Sequence, residues 1–127
     1  RVRLLGIVED VSKIIPNADV FLFPSDGESF GLAPLEAMLC EVPVVGAEAG
    51  GLPEVVEQGV TGFLHPVGDV EAMSASCVRL LTEPGMRKAF GIAGRERSVR
   101  LFSVDSIVSQ YEALYREHAK RRGCCCD

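Results

Sequence analysis

Four short apolar runs are separated by segments with helical patterns. The runs are Val2–Val8, Asp19–Ser25, Pro43–Ala49 and Gly62–Val67. Continuous rather than alternating apolar character is typical of strands that are buried on both faces, as in a parallel sheet. Strands that alternate with helices predict an α/β fold with right-handed crossovers. In such a sheet, ligands bind beyond the carboxyl ends of the strands.

Helical patterns fill the intervals between these runs. We expect a short helix over Asp10–Ala18 with Asp10 as its N-cap. The next helix begins near Leu32 or Ala33, because Pro34 is tolerated only in a first turn. The remaining predicted helices are a short one at 52–59, one capped by Asp69, one over Met86–Phe102 and a last one from about Ile107.

The overall composition fits one globular domain. The chain has 127 residues, of which 47% are hydrophobic and 24% charged. Residues 1–80 carry twelve acidic and four basic side chains, whereas residues 81–127 carry six and nine. An acidic first part lacks the clustered Lys and Arg of a nucleic-acid-binding surface, so we expect no nucleic-acid partner. No apolar run reaches the 18 residues of a membrane span.

The five cysteines do not form a disulfide or zinc pattern. Cys40 and Cys77 lie in apolar helical patterns and are predicted to be core thiols. The other three, Cys124–Cys126, belong to a predicted disordered tail, residues 120–127, which follows a single domain over residues 1–119. The pattern fits a reducing cytoplasm; peripheral association with the inner membrane is an alternative.

The segment DGESFGLAPLEAM follows the second predicted strand at its carboxyl end. Gly31 permits close approach of the backbone to a ligand, and the start of the next helix favours an anion such as phosphate. Glu28 precedes this point, and Glu36 lies roughly 7 Å beyond it along the helix axis. A carboxylate can accept hydrogen bonds from both hydroxyls of a vicinal diol. This order matches the sugar diol, pyrophosphate and ribose diol of a nucleotide sugar.

Two alternatives exist for this pair of glutamates. A glycosidase would use one carboxyl group as acid and the other as nucleophile, but a helix start stabilises the charged form of a carboxyl group, whereas an acid must be neutral. In the second alternative, the pair only caps and solubilises the helix. A dinucleotide-dependent oxidoreductase is disfavoured, because the sequence has no G-x-G-x-x-G segment.

Residues 28–69 contain further motifs in the stretch ESFGLAPLEAMLCEVPVVGAEAGGLPEVVEQGVTGFLHPVGD. This stretch resembles the C-terminal, donor-binding half of the retaining GT-B glycosyltransferases of family 4, which share a Glu-x7-Glu signature. The resemblance covers nearly the whole chain, to about Tyr115. It implies a Rossmann-like parallel sheet with flanking helices, a UDP-sugar or other nucleotide-diphosphate sugar as donor, and transfer with retained anomeric configuration. A non-catalytic nucleotide-sugar-binding module is the alternative.

The resemblance also implies roles for individual residues. Glu28 matches the signature glutamate that contacts the donor sugar, and we predict it as the catalytic residue. Glu36 matches the glutamate that binds the ribose. The backbone-donor positions around sugar and phosphate correspond to Ser29, Phe30, Gly31 and Leu32, and the loop against the base corresponds to Gly6, Ile7 and Val8.

Other motif positions receive structural interpretations. Gly50 and Gly51 match a glycine pair near the cleft, which we interpret as a turn. Cys40 and Glu41 stand where the family usually has small residues, often Gly at the second position, and this departure should affect only the turn. His65 is expected at a strand end. Within the family, residues 51–69 and 107–115 resemble the bacillithiol-pathway subgroup, whose members join N-acetylglucosamine to L-malate.

The resemblance implies parts that these 127 residues do not contain. Family members begin this domain with two further strands, which carry the Arg and Lys that neutralise the pyrophosphate, and they hold the acceptor in an N-terminal domain. Val2–Val8 would be the third strand, with no neighbour, and Asp19–Ser25 the fourth, with an open edge. The alternatives are a fragment, pairing with another copy, or a rearranged sheet. We expect a fragment that is inactive alone, or a homodimer through exposed strand edges. No Asp-x-Asp motif occurs, and we expect neither a metal nor a cofactor.

Overall fold

The centre of the fold is a parallel three-stranded sheet in the computed structural model, which describes residues 2–121. The strands are β1 (Phe21–Phe23), β2 (Val44–Ala47) and β3 (Gly62–His65), in the order β1-β2-β3. Phe21 lies beside Val44 in register, and Val44 lies beside Gly62. The predicted α/β class and parallel sheet are confirmed for the last three apolar runs.

Residues 2–121 form five α-helices beside this sheet, and their starts follow the local sequence. Pro34 lies in the first turn of its helix, as expected, and the Asp69 carboxylate accepts a hydrogen bond from the amide of Ala72 at 2.9 Å, which confirms the predicted cap. The helices are α1 (Leu32–Leu39), α2 (Leu52–Val55), α3 (Val70–Thr82), α4 (Pro84–Phe102) and α5 (Val104–Arg121).

The first predicted strand, Val2–Val8, does not form. Val2, Leu4 and Ile7 are 93%, 92% and 100% exposed. β1 pairs only with β2, so the described residues offer no neighbouring strand to this run. The prediction was wrong because a buried parallel strand needs partners for its backbone groups, and apolar side chains do not supply them.

The helix predicted over residues 10–18 is replaced by two 3-10 turns, Val11–Lys13 and Ile15–Asn17. Pro16 has no N–H to donate, and its ring obstructs α-helical continuation. Of the residues in these two turns, only Ile15 is buried. Ile15 is therefore the side chain that anchors these two turns to the core.

Two apolar clusters cover the opposite faces of the sheet. α1 and α2 supply one cluster, which includes Met38 and Leu52, and α3 and α4 supply the other, which includes Leu80. Val44 and Val45 are adjacent in β2 and belong to different clusters, because successive strand residues point to opposite faces. β2 is buried along its whole length, as its continuous apolar run predicts.

Both cysteines within the described residues pack at the edges of these clusters. Cys40 contacts the first cluster and Cys77 the second, and each is half-buried. Burial raises the pKa of the Cys77 thiol. The structure thus supports their interpretation as core thiols. Residues 122–127, which include the predicted tail cysteines, lie outside the described residues.

α4 buries three small residues, Gly91, Gly94 and Ser98, on the side that includes its contacts with Met38 of α1 and with Glu41; we call them the small-residue seam. A Cβ at Gly91 would lie 2.1 Å from the backbone oxygen of Glu41, and one at Gly94 would lie 3.5 Å from Met38 side-chain carbons. Ser98 is buried and donates its hydroxyl hydrogen bond to the Gly94 carbonyl at 2.8 Å. The seam therefore fixes how closely the two helices approach.

Glu41 ends the connection from α1 with φ of +61°, in the left-handed region that favours glycine. This conformation gives a physical reason for the glycine that the family usually has at this position. The Glu41 carboxylate also accepts a hydrogen bond from Arg95 at 3.0 Å. α5 leaves its aromatic residues Tyr111 and Tyr115 exposed. No helix within residues 2–121 is long and apolar enough to span a membrane.

Candidate functional site

The loop that leaves β1 at its carboxyl end leads directly into α1. Gly31 is the N-cap of α1 and adopts φ of +100°, which only glycine takes without strain. Leu32 and Ala33 follow in the first turn, where N–H groups have no acceptor within the helix. The segment predicted to meet a ligand thus lies where a parallel sheet places its binding crevice.

Glu28 closes this loop through its own carboxylate. Its Oε1 atom accepts hydrogen bonds from the amide of Phe30 at 3.1 Å and from the amide of Gly31 at 3.0 Å. Two of the amides expected to face phosphate therefore converge on one carboxylate oxygen. These two hydrogen bonds hold the Glu28 carboxylate against the loop, and they leave its Oε2 atom without a hydrogen bond among the described residues.

The loop presents its backbone because the Phe30 side chain points into the protein. The Phe30 ring packs edge-on against Phe102 at the end of α4, with 5.4 Å between ring centroids and an angle of 82°. It also contacts the cluster beneath α1 and α2. Ser29 and Leu32 are exposed beside it. The aromatic residue anchors the loop, and the exposed groups around it are available to a ligand.

Glu36 lies on the exposed side of α1 and lines a cleft of about 470 Å³. The opposite wall of the cleft is the segment that follows Val8. Gly6 is exposed, with φ of +68°, and Val8 is half-buried. The lining residues are Glu9, Asp10, Val11, Ser12, Ile15, Glu36, Leu39 and Cys40. The structure therefore brings Glu36 beside the residues that follow the predicted base-binding loop, whereas Gly6, Ile7, Val8 and Glu28 do not line this cleft.

The charged residues that line this cleft are all acidic: Glu9, Asp10 and Glu36. The Ser12 hydroxyl donates a hydrogen bond to Asp10, and Lys13 forms an ion pair with Asp10 at 3.0 Å. Both interactions lower the pKa of Asp10, and the effect of Ser12 is the larger. Acidic walls repel phosphate and favour hydroxyl and N–H donors. The cleft and the start of α1 therefore favour different ligand groups, hydrogen-bond donors in the cleft and an anion at the helix start.

Three further residues bear on the loop although their importance was not predicted. Gly50 and Gly51 contact the backbone of residues 28–30. In the sequence, the glycine pair itself is the only sign of this contact. Arg97 of α4 holds the end of α2 by hydrogen bonds to carbonyls 42 and 43 residues away. No local sequence pattern predicts a contact between residues so far apart in the chain.

The remaining predicted position, His65, ends β3 as expected. Its Nε2 atom is 2.8 Å from the Ser76 hydroxyl, and its ring stacks near Phe63. These neighbours hold the histidine against α3, away from the loop that contains Glu28. Among residues 2–121, no group of three or more His, Cys, Asp or Glu side chains is arranged to bind a metal ion.

Comparison with known proteins assigns the fold to a family. Residues 1–83 match the sequence profile of the family described as glycosyl transferases group 1. The chain belongs to this family. Among curated group 1 relatives, it is 40% identical over 115 residues to N-acetyl-alpha-D-glucosaminyl L-malate synthase of Bacillus anthracis, which agrees with the predicted subgroup resemblance. The match covers 91% of this chain but only 30% of that enzyme.

Solved structures of GT-B glycosyltransferases share the fold. Sucrose-phosphate synthase from Thermosynechococcus elongatus matches with a TM-score of 0.80 and 35% identity over 87% of this chain and 28% of that one. Anabaena Alr3699/HepE in complex with UDP matches with a TM-score of 0.84 and 29% identity over 89% of this chain and 31% of that one. The same protein has also been solved with UDP-glucose. The chain thus spans about a third of the length of these group 1 glycosyltransferases.

Proposed function

We propose that the chain is the nucleotide-sugar-binding part of a retaining glycosyltransferase whose donor is a UDP-sugar. The observation that carries the proposal is the convergence of the Phe30 and Gly31 amides on the Glu28 carboxylate, at the start of a helix that also carries Glu36. Similarity to Anabaena Alr3699/HepE, solved with UDP and with UDP-glucose, supports the choice of donor.

The proposed donor lies along α1 in two parts. The sugar half of the site, residues 28–32, binds the transferred sugar and the phosphates. The nucleoside half, residues 6–12 together with Glu36, binds the base and ribose. In the sugar half, phosphate oxygens accept hydrogen bonds at the start of α1, where the helix dipole also favours negative charge. The free Oε2 atom of Glu28 accepts hydrogen bonds from sugar hydroxyls. In the nucleoside half, Glu36 accepts hydrogen bonds from the ribose diol.

The chemistry follows from where charge develops. The bond between the anomeric carbon and the phosphate oxygen breaks, and the diphosphate departs with increased negative charge near the start of α1, which stabilises it. An acceptor hydroxyl oxygen forms the new bond on the same face of the sugar, and its proton passes to the leaving phosphate. Glu28 acts by orienting the sugar, and the reaction needs no metal or cofactor.

The acceptor belongs to a domain outside this chain. This accords with the chain spanning 30% of the length of the synthase it resembles. On this proposal the chain alone binds donor but does not catalyse transfer, and its place is the cytoplasm. A homodimer through the open edge of β1 is a further part of the proposal, since that edge has no partner among residues 2–121. A non-catalytic sugar-nucleotide-binding module is the alternative.

Calorimetric titration of the chain with UDP and with UDP-N-acetylglucosamine tests the proposal. Glu36→Gln should weaken both ligands about ten-fold, because each loses a hydrogen bond to a charged acceptor worth about 1.5 kcal/mol. Glu28→Gln should weaken only the sugar nucleotide. Glutamine is preferred to alanine at position 28, because its side-chain oxygen can still accept from the loop amides.

The matched control is Glu71→Gln, which changes an exposed acid in the first turn of α3, outside the site. It should bind both ligands as the wild type does. The proposal is wrong if the folded wild-type chain binds neither ligand at millimolar concentration, or if Glu36→Gln leaves both affinities unchanged. Binding by this chain without turnover, when joined to an acceptor domain, would favour the non-catalytic alternative.

A further inference from the structure

The backbone of residues 28–30 rests directly on the glycine pair before α2. A Cβ at Gly50 would lie 1.5 Å from the backbone oxygen of Glu28. A Cβ at Gly51 would lie 2.6 Å from the Ser29 oxygen and 2.9 Å from the Phe30 Cα atom. Such distances are far inside van der Waals contact, so the loop occupies its position only because both residues lack side chains.

The first residue of α2 continues this support under the start of α1. Leu52 is 1% exposed and lies in the cluster between the sheet and α1. A Cβ at Gly31 would be 3.2 Å from the Leu52 Cδ1 atom. The whole stretch from Glu28 to Gly31 therefore lies against residues 50–52, and a displacement of α2 would displace the loop.

α2 needs outside support, because a helix of four residues is too short to be stable by itself. Arg97 supplies it from α4. Its guanidinium donates to the carbonyls of Val55 and Glu54, each at 2.9 Å, and to the Glu57 carboxylate at 3.0 Å. The Arg97 side chain is only 19% exposed. It thus satisfies carbonyls at the end of α2 that have no partner within the helix.

We propose that Gly50 and Gly51, with α2 held by Arg97, are positioning residues: they fix the loop whose amides hold Glu28 for the donor sugar, and with it the start of α1 for the phosphates. This inference rests on the proposed function for its ligand. The nucleoside half does not depend on the same support, because its cleft is lined by residues 9–15 and by the middle and end of α1. Loss of this support should therefore weaken binding most for a ligand that reaches the sugar position, and least for a ligand that ends close to the ribose.

Three alanine variants distinguish the effect of a steric collision at the added Cβ from the effect of backbone strain. Gly51→Ala introduces a collision without strain, because Gly51 has φ of −83°. Gly50→Ala introduces both, because Gly50 has φ of +54°. Gly59→Ala is the matched control: it has φ of +74° and nothing within 4 Å of the added Cβ, so it introduces strain alone.

The first measurement is calorimetric binding of UMP, UDP and UDP-N-acetylglucosamine to each variant, with thermal unfolding as a check of folding. For Gly51→Ala we expect a loss of less than three-fold for UMP, an intermediate loss for UDP, and at least ten-fold for UDP-N-acetylglucosamine. Gly50→Ala should show the same gradient, and Gly59→Ala should bind all three ligands as the wild type does. Equal weakening of all three ligands by Gly51→Ala, or none, overturns the inference.

The second measurement needs no ligand and separates this inference from the proposed function. Amide hydrogen exchange at Phe30 and Gly31 reports their hydrogen bonds to Glu28. Gly51→Ala should accelerate exchange at both amides at least ten-fold, whereas Gly59→Ala should not. If the wild type binds no nucleotide, the proposed function fails, and exchange still decides whether the glycines position the loop. Unchanged exchange in folded Gly51→Ala overturns the inference.

Discussion

The two halves of the site are held by very different numbers of elements. The sugar half contacts the glycine pair, α2 and Phe102, and Glu28 closes it from within. The nucleoside half contains exposed Gly6 and Ile7 and a 3-10 turn without a buried residue, and it is fastened near Ile15. The difference teaches that this chain holds the proposed site for sugar and phosphate more firmly than the proposed site for the base. The following changes test that contrast.

The largest expected effect is from Leu52→Ala beneath the sugar half. Removal of this fully buried side chain should lower the free energy of unfolding by about 2–5 kcal/mol, through lost burial and the cavity that remains. Val11→Ala, the comparable truncation on the wall of the nucleoside half, should cost less than about 0.5 kcal/mol, since Val11 is 46% exposed. Urea denaturation of both variants measures the difference, and similar costs would refute the contrast.

Arg97→Ala should have the next largest effect, a loss of about 2 kcal/mol, because it leaves two carbonyls at the end of α2 without their charged donor. Arg95→Ala is the matched control on the same helix. Arg95 only pairs with Glu41 at the surface, so its removal should cost less than about 1 kcal/mol. Denaturant unfolding compares the two. Equal losses would mean that α2 does not depend on Arg97.

Glu41→Gly tests the other end of α1, and we expect it to stabilise the fold. Relief of the left-handed strain, about 1–2 kcal/mol, is partly offset by loss of the exposed pair with Arg95 and by the freedom of glycine in the unfolded chain. We expect a net gain of about 0.5 kcal/mol in unfolding free energy, with UDP binding unchanged. Glu41→Ala, which keeps the strain and loses the pair, should be less stable than wild type.

The smallest effect concerns Asp10 in the nucleoside half. Because its folded-state pKa is lowered, its ionised form stabilises the turn at pH values above the ordinary aspartate pKa, and this contribution disappears as the pH falls through the lowered value. NMR titration of the carboxyl group should place its midpoint below that of a free aspartate. Ser12→Ala should raise the midpoint more than Lys13→Met does, and the reverse order would contradict the assigned causes.

The part of the fold that could be predicted depends on short-range signals. Pro34 fixes the start of α1, and Asp69 caps α3, because both effects act within one helical turn. The sheet follows from apolar runs that pair with one another. Val2–Val8 has the same apolar character and still forms no strand, because a ladder needs a neighbour that the run itself cannot specify.

The candidate site shows the same limit. Glu28 and Gly31 could be found because carboxylate, glycine and helix start adjoin in sequence. The self-closure of Glu28 onto the next amides was missed, although it spans only two and three residues. The supporting roles of Gly51 and Arg97 depend on contacts over more than twenty and forty residues respectively, and only the folded backbone defines which group lies opposite each of them.

The small-residue seam has a consequence for how such a chain can diverge. α1 carries Gly31 at its start and Glu36 in its middle, so both halves of the site move with it. A side chain at Gly91 would collide with the backbone of Glu41, just after the end of α1, so it would displace α1 from that end. A lineage could therefore alter its preference for a sugar through residues 28–32, and its preference for a base separately through residues 6–12. We expect position 91 to drift more slowly than either, since a change there alters both preferences at once.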